Sequence, residues 1–264
     1  MVGKFLFLGT GASAGVPSIG CKCPVCSSAS SYNQRLRSSG LLEVEGKYFL
    51  IDVGPDFRQQ ALRYRLNRID GLLLTHTHFD HIAGIDELRN FYFQQKAPLP
   101  CLLSFESLED LKTRYFYLFQ PIGTVPTISV QMEMHLLEEE VGDIDFVGLQ
   151  IGYCSYFQGN MKVNGFRVGN FAYMTDVKEY DESVFTAFQG VEKLVVSALR
   201  EDPSPLHLSL DEAIDFAKKM GAKETYITHI SHKMDYEAVS KRLPENVFLS
   251  FDGMEIGFEY ECKK

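Results

Sequence analysis

The sequence lacks the features that mark membrane-spanning, secreted or nucleic-acid-binding proteins. No apolar run is long enough to cross a bilayer. The first apolar segment, residues 5–8, is cut short by Gly9 and Gly11, which predicts an opening strand rather than a signal peptide. Basic residues are in deficit, with a formal net charge of −9 and no Lys/Arg-rich run. This balance argues against nucleic acid as the main partner.

A disulfide framework is also missing. Of the six cysteines, three lie close together and three are scattered along the chain. A tight cluster such as Cys21, Cys23 and Cys26 is typical of a metal site in a reducing compartment. We therefore expect a cytoplasmic protein in which the scattered thiols are ordinary core or surface residues, namely Cys101, Cys154 and Cys262.

No Pro/Gly/Ser-rich linker divides the 264 residues, which predicts a single domain over residues 1–264. Short β-rich runs alternate with helical segments. Helices are predicted over residues 56–66 and 210–220, the second with a capping box formed by Ser209 and Glu212. The predicted strands cover residues 5–8, 41–44, 48–52, 71–75, 171–175, 194–197, 224–228 and 247–251.

Two pairs of similar segments suggest that the chain is built from two related halves. One pair consists of apolar strands that end in an aspartate, at Asp52 and Asp176. The other pair consists of apolar strands that end in a histidine, at His76 and His229. Two such halves facing each other would bring these polar strand ends to one edge of the sheets.

The densest group of potential metal ligands is His76-Thr-His78-Phe-Asp80-His81, directly after an apolar strand. Alternate side chains of an extended segment point the same way, so His76 and His78 can bind one cation. A turn after His78 would let Asp80 and His81 reach a second cation nearby. Imidazole and carboxylate together suit zinc, nickel, manganese or iron. The chain has only seven histidines, so a chance cluster of three is a poor explanation.

This T-H-x-H-x-D-H pattern after a hydrophobic strand resembles the signature of the metallo-β-lactamase superfamily. The resemblance implies an α+β fold, a four-layer αββα sandwich of two similar halves. It also implies that Asp52 supports the site, that Asp176 bridges two metal ions and that His229 is the last ligand. The other implied metal ligands are His76, His78, Asp80 and His81.

Further motifs make the chain similar to the PhnP phosphodiesterase family, from residue 5 to residue 257. They are Gly9-Thr-Gly11-Ala-Ser-Ala-Gly15-Val-Pro17, the cysteine cluster, Thr228-His229-Ile-Ser-His232 and Phe251-Asp-Gly-Met-Glu-Ile256. The resemblance implies one structural zinc, held in a closed shell without an open position. Its implied ligands are Cys21, Cys23, Cys26 and His232.

The sequence departs from the family pattern at Gln158, where the resemblance places a metal-binding histidine seven residues before Gly165. An amide oxygen is a weaker and harder ligand than imidazole. The first metal position, with His76 and His78, is therefore expected to bind weakly or to prefer a different ion. His135 lies too far upstream to replace the missing ligand and is expected to be a packed or surface residue.

The resemblance implies two catalytic divalent ions (manganese, nickel or zinc) that activate water and polarise a phosphoryl oxygen. Asp80 belongs to the reacting centre, and His207 is the implied general acid. His207 precedes the helix capped by Ser209, so the positive helix end is expected to lower its pKa and keep it near neutrality. The expected substrate is a small phosphodiester, cyclic in the family's founding activity.

Several alternatives remain open. Arg58 or Arg89 could bind phosphate, although both lie in helical segments where solvent exposure is the simpler expectation, and Asp252 could orient a metal-binding histidine. Another hydrolase of the same fold, a nuclease or a thioesterase, is a second interpretation, and the net charge weighs against the nuclease. A catalytically impaired metal-binding protein is the third, because of Gln158. A homodimer is a candidate assembly, and no membrane partner is expected.

Overall fold

The computed structural model describes residues 1–120 and 129–261, in which fourteen strands form two seven-stranded sheets. The first sheet contains β1 (Val2–Gly9), β2 (Ser39–Val44), β3 (Lys47–Ile51), β4 (Gly71–Leu73), β5 (Leu99–Ser104), β6 (Met132–Leu137) and β14 (Glu255–Glu259). The second contains β7 (Val141–Phe146), β8 (Leu149–Gln158), β9 (Met161–Val168), β10 (Phe171–Met174), β11 (Lys193–Ser197), β12 (Glu224–Thr228) and β13 (Val247–Leu249).

The two sheets share one pattern of strand directions. In the first, β1, β2 and β3 are antiparallel, and β3 to β6 are parallel in the order β3-β4-β5-β6. In the second, β8, β9 and β10 are antiparallel, and the parallel order is β10-β11-β12-β13. The predicted similarity of the two halves is therefore present in the topology, with β3 equivalent to β10.

This equivalence confirms one part of the internal repeat and corrects the other. Asp52 follows β3 and Asp176 follows β10, so the two aspartates occupy equivalent positions. His76 follows β4, whereas His229 follows β12, whose equivalent in the first sheet is β5. The pairing of the two histidines was wrong, because an apolar strand followed by a histidine does not identify which parallel strand it is.

Seven helices lie in the described ranges. Those next to the first sheet are α1 (Phe57–Arg63), α2 (Phe79–Ile82), α3 (Arg89–Gln95) and α4 (Phe105–Arg114), and those next to the second are α5 (Ser183–Ala187), α6 (Leu210–Met220) and α7 (Tyr236–Ser240). Short 3₁₀ turns occur at Ser31–Asn33, Ile85–Leu88 and Phe116–Phe119. No helix in these ranges is long and apolar enough to cross a membrane.

Three apolar cores separate the layers. Aromatic side chains from both sheets, such as Phe49 and Phe166, fill the space between the sheets. A second core lies between the first sheet and α1–α4, and a third between the second sheet and α5–α7. Cys101 and Cys154 are buried in these outer cores, as expected for ordinary thiols, whereas Cys262 lies outside the described residues. The predicted α+β, four-layer αββα sandwich is confirmed.

The helix α6 agrees with its predicted bounds because its local signals and its packing coincide. Ser209 Oγ accepts a hydrogen bond from Glu212 N, the Glu212 carboxylate accepts one from Ser209 N, and Gly221 ends the helix with φ of 78°. Buried residues recur at positions 210, 213, 216, 217 and 220, which is the spacing of one helix face. The other predicted helix, over residues 56–66, is shorter and spans Phe57–Arg63.

Candidate functional site

Three residues of the site adopt a left-handed backbone conformation where a strand ends. The φ angles are 58° at Asp52, 55° at Asp176 and 57° at His229. This conformation costs about 1 kcal/mol for a residue other than glycine, although Asp and His tolerate it better than most. All three side chains are buried and face the same cluster of polar groups, so their contacts offset the strain.

The histidine-rich motif supplies the first half of that cluster. His76 and His78 lie in the extended segment after β4, and His76 Nε2 is 2.9 Å from His78 Nδ1. Helix α2 begins at Phe79, immediately after His78, and carries Asp80 and His81. The expected turn after His78 is therefore a short helix, and it directs Asp80 and His81 toward the second sheet.

The second half of the cluster comes from the ends of β10 and β12. Asp176 Oδ2 is 3.2 Å from His81 Nε2, and Asp176 Oδ1 is 3.4 Å from His229 Nε2. Asp80 Oδ2 lies 3.4 Å from His81 Nε2 and 3.3 Å from His229 Nε2. The structure thus brings together all six residues that the motif and the resemblance assigned to the catalytic ions, with His78 the most exposed of them.

Electrostatics in this cluster favour bound positive charge. Burial alone would raise the carboxyl pKa values of Asp80 and Asp176, yet the neighbouring His81 and His229 hold both well below their usual range. Burial alone would lower the pKa values of those two histidines, but the carboxylates raise them. Two ionised aspartates buried beside imidazoles are an arrangement suited to cations.

The free atoms of the cluster fit metal ions. His81 Nδ1 lies 2.7 Å from Asp52 Oδ2, which leaves Nε2 as its outward atom. That Nε2 is buried and has no hydrogen-bond partner in the described structure, although it faces Asp80 and Asp176. An imidazole held from behind by a carboxylate, with its other nitrogen directed at further carboxylates, is the usual geometry of a metal-binding histidine.

The loop that carries His76 and His78 is fixed by groups from distant parts of the chain. Thr75 N and Oγ1 both donate to Asp52 Oδ1, at 2.8 and 3.0 Å. Thr75 O accepts from the backbone N–H and the side-chain amide of Asn164, each at 2.9 Å. Thr77 O accepts from Arg114 Nη1 at 2.8 Å. These bonds take the place of strand-to-strand hydrogen bonds after Leu73. Strand β4 therefore ends at Leu73 and not at residue 75 as predicted.

Sequence reasoning did not identify Asn164 and Arg114. Asn164 is 89 residues from Thr75, and Arg114 is 37 residues from Thr77. Neither residue belongs to a local sequence motif. An asparagine on a strand and an arginine at the end of a helix such as α4 are common at exposed positions, so neither indicates a functional site. Only the topology, which places β9 next to the histidine loop, reveals their role.

Gln158 and His207 form the edge of the cluster. Gln158, the last residue of β8, is 6% exposed, and its Nε2 donates to Asp176 Oδ1 at 3.0 Å. The same Nε2 is 3.0 Å from His207 Nε2, and His207 Nδ1 is 3.3 Å from Asp176 Oδ1. The position named by the family resemblance is therefore at the site, with an amide in place of an imidazole.

The expected near-neutral pKa of His207 is not found. Burial of the ring, more than any neighbouring charge, lowers its pKa to about 4 in the absence of bound ions. The ring stacks on His229 with 5.1 Å between centroids, which explains the burial. The prediction considered only the helix end, and the fold adds the cluster behind the ring.

The cysteine cluster meets the last loop of the second half. The Sγ atoms of Cys21, Cys23 and Cys26 lie 3.2, 3.5 and 3.4 Å from His232 Nδ1. The backbone N–H of Cys26 is the main cause that lowers the thiol pKa of Cys23 to about 6. Three sulfurs and one imidazole nitrogen at these distances match the donor set of a tetrahedral zinc site.

Other candidates lie elsewhere. Arg58 and Arg89 are exposed, as the simpler expectation had it. His135, in β6 of the first sheet, packs against Phe146 of the second sheet and lies 3.3 Å from Glu133, so it supplies nothing to the cluster. The expectation for Asp252 was wrong. Its carboxylate accepts hydrogen bonds from Thr10 N, Thr10 Oγ1 and Leu36 N, and from no histidine within the described residues.

Comparison with known proteins places the chain in a family. The model of the beta-lactamase superfamily domain matches residues 47–230, which include the histidine motif, Asp176 and His229. The chain therefore belongs to the beta-lactamase superfamily, and it has the metallo-β-lactamase fold. Within the superfamily it resembles the PhnP family. A crystal structure described as a new diphosphatase from that family is 36% identical, with a TM-score of 0.90 over 98% of both chains.

Two further relatives define the range of similar proteins. An octanoyltransferase of Porphyromonas gingivalis is 31% identical over 257 residues, which are 96% of this chain and 51% of that protein. The chain thus spans about half the length of this curated relative. The zinc-bound PqqB structure from Methylobacterium extorquens is 18% identical, with a TM-score of 0.75 over 96% of this chain and 99% of that one, and shows the fold alone.

Proposed function

We propose that this chain is a metal-dependent hydrolase that cleaves a disubstituted phosphoryl group in a small organic molecule, either a phosphodiester or a diphosphate. The cluster of His76, His78, Asp80, His81, Asp176 and His229, all buried except the half-buried His78, carries the proposal. Similarity to a PhnP-family diphosphatase over nearly the whole chain supports a phosphoryl substrate over other substrates of this fold.

The donor groups suit two neighbouring divalent ions of the manganese, nickel or zinc type. Ions held there would lower the pKa of a coordinated water and polarise the phosphoryl oxygen. Asp176 is placed to share two ions, because it contacts His81 and His229 and also forms a group of possible donors with His76 and His81. Asp52 keeps His81 Nε2 directed into the cluster through its contact with Nδ1.

His207 is the residue placed to assist the leaving group. Its side chain is 15% exposed, so it borders the solvent side of the cluster while Asp176 holds one ring nitrogen. Because its lowered pKa leaves the ring neutral near pH 7, it can donate a hydrogen bond from its N–H to the oxygen that leaves phosphorus. Phe79 and Leu206, each adjacent in sequence to a site residue, are 64% and 50% exposed and could contact an organic leaving group.

Turnover of bis(p-nitrophenyl) phosphate and of a disubstituted diphosphate tests the proposal. Chelated protein with its structural zinc retained would receive manganese, nickel or zinc separately. We expect activity that requires added metal, disappears in His81→Ala and is reduced about 10²–10⁴-fold in His207→Ala. No turnover of either phosphoryl substrate with any of the ions would refute the proposed function.

A second candidate is hydrolysis of an activated acyl group, such as a thioester. It is favoured by the relative named octanoyltransferase, in which this chain matches about half the length. An octanoyl thioester included in the same assay separates the two. Metal-dependent release of octanoate with no phosphoryl turnover would support the second candidate, whereas the reverse result supports the first. The net charge of −9 gives no support to a nuclease.

A further inference from the structure

The histidine motif begins with a threonine whose hydroxyl has two partners. Thr75 is fully buried, and its Oγ1 lies 2.8 Å from Asp52 Oδ2 and 3.0 Å from Asp52 Oδ1. The same Oγ1 lies 2.9 Å from Nδ1 of the next residue, His76. The hydroxyl therefore lies between the Asp52 carboxylate and the imidazole of a proposed metal ligand.

The number of available protons decides the direction of these hydrogen bonds. A carboxylate only accepts, whereas a hydroxyl has one proton to donate and lone pairs that accept. When Thr75 Oγ1 donates to Asp52, it is left as an acceptor for His76, so the ring proton of His76 lies on Nδ1. Nε2 of His76 then keeps its lone pair, and it faces Nδ1 of His78 at 2.9 Å.

The opposite direction of the bond does not suit a cation site. If the hydroxyl donated to His76 Nδ1, the proton of the neutral ring would lie on Nε2, which faces His78. The fully buried Asp52 carboxylate would also lose the hydroxyl proton as a donor. A nitrogen must be free of its proton to bind a metal ion, so only the first direction leaves His76 Nε2 available.

A threonine also precedes His229, but it does not make such a connection. Thr228 is fully buried, and neither its Oγ1 nor His229 Nδ1 has a hydrogen-bond partner within residues 1–120 and 129–261. The dipeptide Thr-His thus occurs twice in the site, once with a bonded hydroxyl and once without. The bonded hydroxyl is the one that lies against Asp52, so the chain of carboxylate, hydroxyl and imidazole depends on the fold and not on the dipeptide.

We propose that Thr75 is a positioning residue of the metal site, whose hydroxyl transmits the orientation set by Asp52 to His76 and fixes the tautomer with a free Nε2. Asp52 also contacts His81 Nδ1 at 2.7 Å, so one carboxylate orients two ligands, His81 directly and His76 through Thr75. This inference rests on the proposed function, because it concerns the ions of the same site. A ligand that is already oriented loses less freedom when the ion binds, which raises the affinity for the ion.

Metal binding by Thr75→Val tests this role, since valine keeps the branched shape and removes the hydroxyl. Protein freed of catalytic ions, with its structural zinc retained, would be titrated with Co²⁺ by calorimetry, and the visible bands of the bound cobalt would be recorded. We expect the affinity to fall by about 10- to 100-fold and the bands to change, because His76 is no longer fixed. Thr75→Ser, which retains the hydroxyl, should restore the native affinity and the native bands.

Thr228→Val is the matched control, since Thr228 is equally buried and also precedes a histidine of the site, and it should bind cobalt as the native chain does. Thr75→Ala removes the same hydroxyl and is measured in case valine prevents folding. The inference is overturned if the variants without the Thr75 hydroxyl bind like the native chain, if Thr75→Ser binds as weakly as Thr75→Val, or if Thr228→Val weakens binding equally. Because binding is measured without substrate, weaker binding by Thr75→Val in a protein that hydrolyses no phosphoryl substrate would contradict the proposed function and leave this inference intact.

Discussion

At the scale of single residues, the buried carboxylate of Asp52 has the most consequences. It contacts His81 Nδ1 at 2.7 Å and accepts from Thr75 N and Oγ1 at 2.8 and 3.0 Å. One side chain thereby orients a proposed ligand from α2 and fixes the residue before His76. The left-handed backbone at Asp52 is part of this arrangement, because it directs the carboxylate back toward the end of β4.

Asp52→Asn should lower the affinity for the catalytic ions by about 10- to 100-fold, because an amide cannot accept from both His81 and Thr75 in the same way. Metal titration of the chelated variant measures the change. Asp252→Asn is the control, since the side chain of Asp252 is also only 3% exposed but contacts Thr10 and Leu36. Equal metal affinity in Asp52→Asn and the native chain would contradict the supporting role.

Asp252 has a consequence of its own for the pH dependence of stability. Burial raises its carboxyl pKa from 3.8 to about 6, against the opposing effect of the Leu36 and Thr10 hydrogen bonds. The folded state then holds this proton up to a higher pH than the unfolded state does. The stabilisation is complete below pH 3.8 and is lost as the pH rises through 6, by a total of about 3 kcal/mol.

We therefore expect the free energy of unfolding of Asp252→Asn, relative to that of the native chain, to increase by about 2 kcal/mol between pH 4 and pH 6, because the native chain loses stability there. Urea unfolding of both proteins under the same ion conditions measures this difference. A difference that stays constant over this range would mean that Asp252 ionises with its ordinary pKa in the folded protein.

At the scale of elements, the bounds of α6 could be predicted because every sequence signal that defines this helix lies within it or at its ends. Its capping box, its apolar face and its final glycine all lie between residues 209 and 221. Ser209→Ala should lower the free energy of unfolding by about 1 kcal/mol, because Glu212 N loses its acceptor. Ser209→Asp, which can still cap the helix, should recover most of the loss in urea unfolding. An alanine variant as stable as the native chain would show that the cap contributes nothing.

No sequence motif predicts the contact between β9 and the segment that carries His76 and His78. Asn164 is fully buried, donates to Thr75 O and accepts from Ser155 Oγ at 3.1 Å. Asn164→Ala should destabilise the protein by about 1–3 kcal/mol, because the buried Thr75 O loses one donor and Ser155 Oγ loses its acceptor. Asn246→Ala is the control, since Asn246 is exposed. Its free energy of unfolding should stay within about 0.5 kcal/mol of that of the native chain. Equal stability of the two variants would contradict this account.

These elements explain how much the sequence could predict. The histidine motif, the strand-end aspartates and the cysteines were found because ligands of one site lie close together in sequence or after recognisable strands. The sheet partner of β12, the position of Asn164 and the environment of His207 depend on pairings between distant residues. No pattern within a short window contains that information, which is why the histidine repeat and the pKa expectation for His207 were wrong.

At the scale of the whole molecule, the two proposed metal centres share one loop. His229 and His232 lie three residues apart after β12, so the cysteine cluster near the amino terminus restrains the loop that also carries a catalytic ligand. Cys23→Ala should remove one zinc per chain, lower the melting temperature and weaken the catalytic ions at the same time. Elemental analysis and thermal unfolding measure both. Zinc loss without any change in melting temperature would contradict a structural role.

The single domain, the homodimer and the small phosphodiester partner stay predictions, and gel filtration with the turnover assay would examine the last two. The absence of basic runs remains the strongest argument from composition, since a net charge of −9 repels a phosphate backbone. A small phosphoryl substrate carries few charges, and local positive charge at the cluster is enough to bind it.

The donors of the cluster are divided between the two sheets. His76, His78, Asp80 and His81 follow the first sheet, whereas Asp176 and His229 follow the second. Neither half alone holds a complete set of ligands for a pair of ions. If the halves descend from one duplicated gene, the half-length ancestor could have formed such a centre only by pairing with another copy of itself. The reaction would then have begun at an interface between subunits, and fusion of the two copies would have made each side free to diverge.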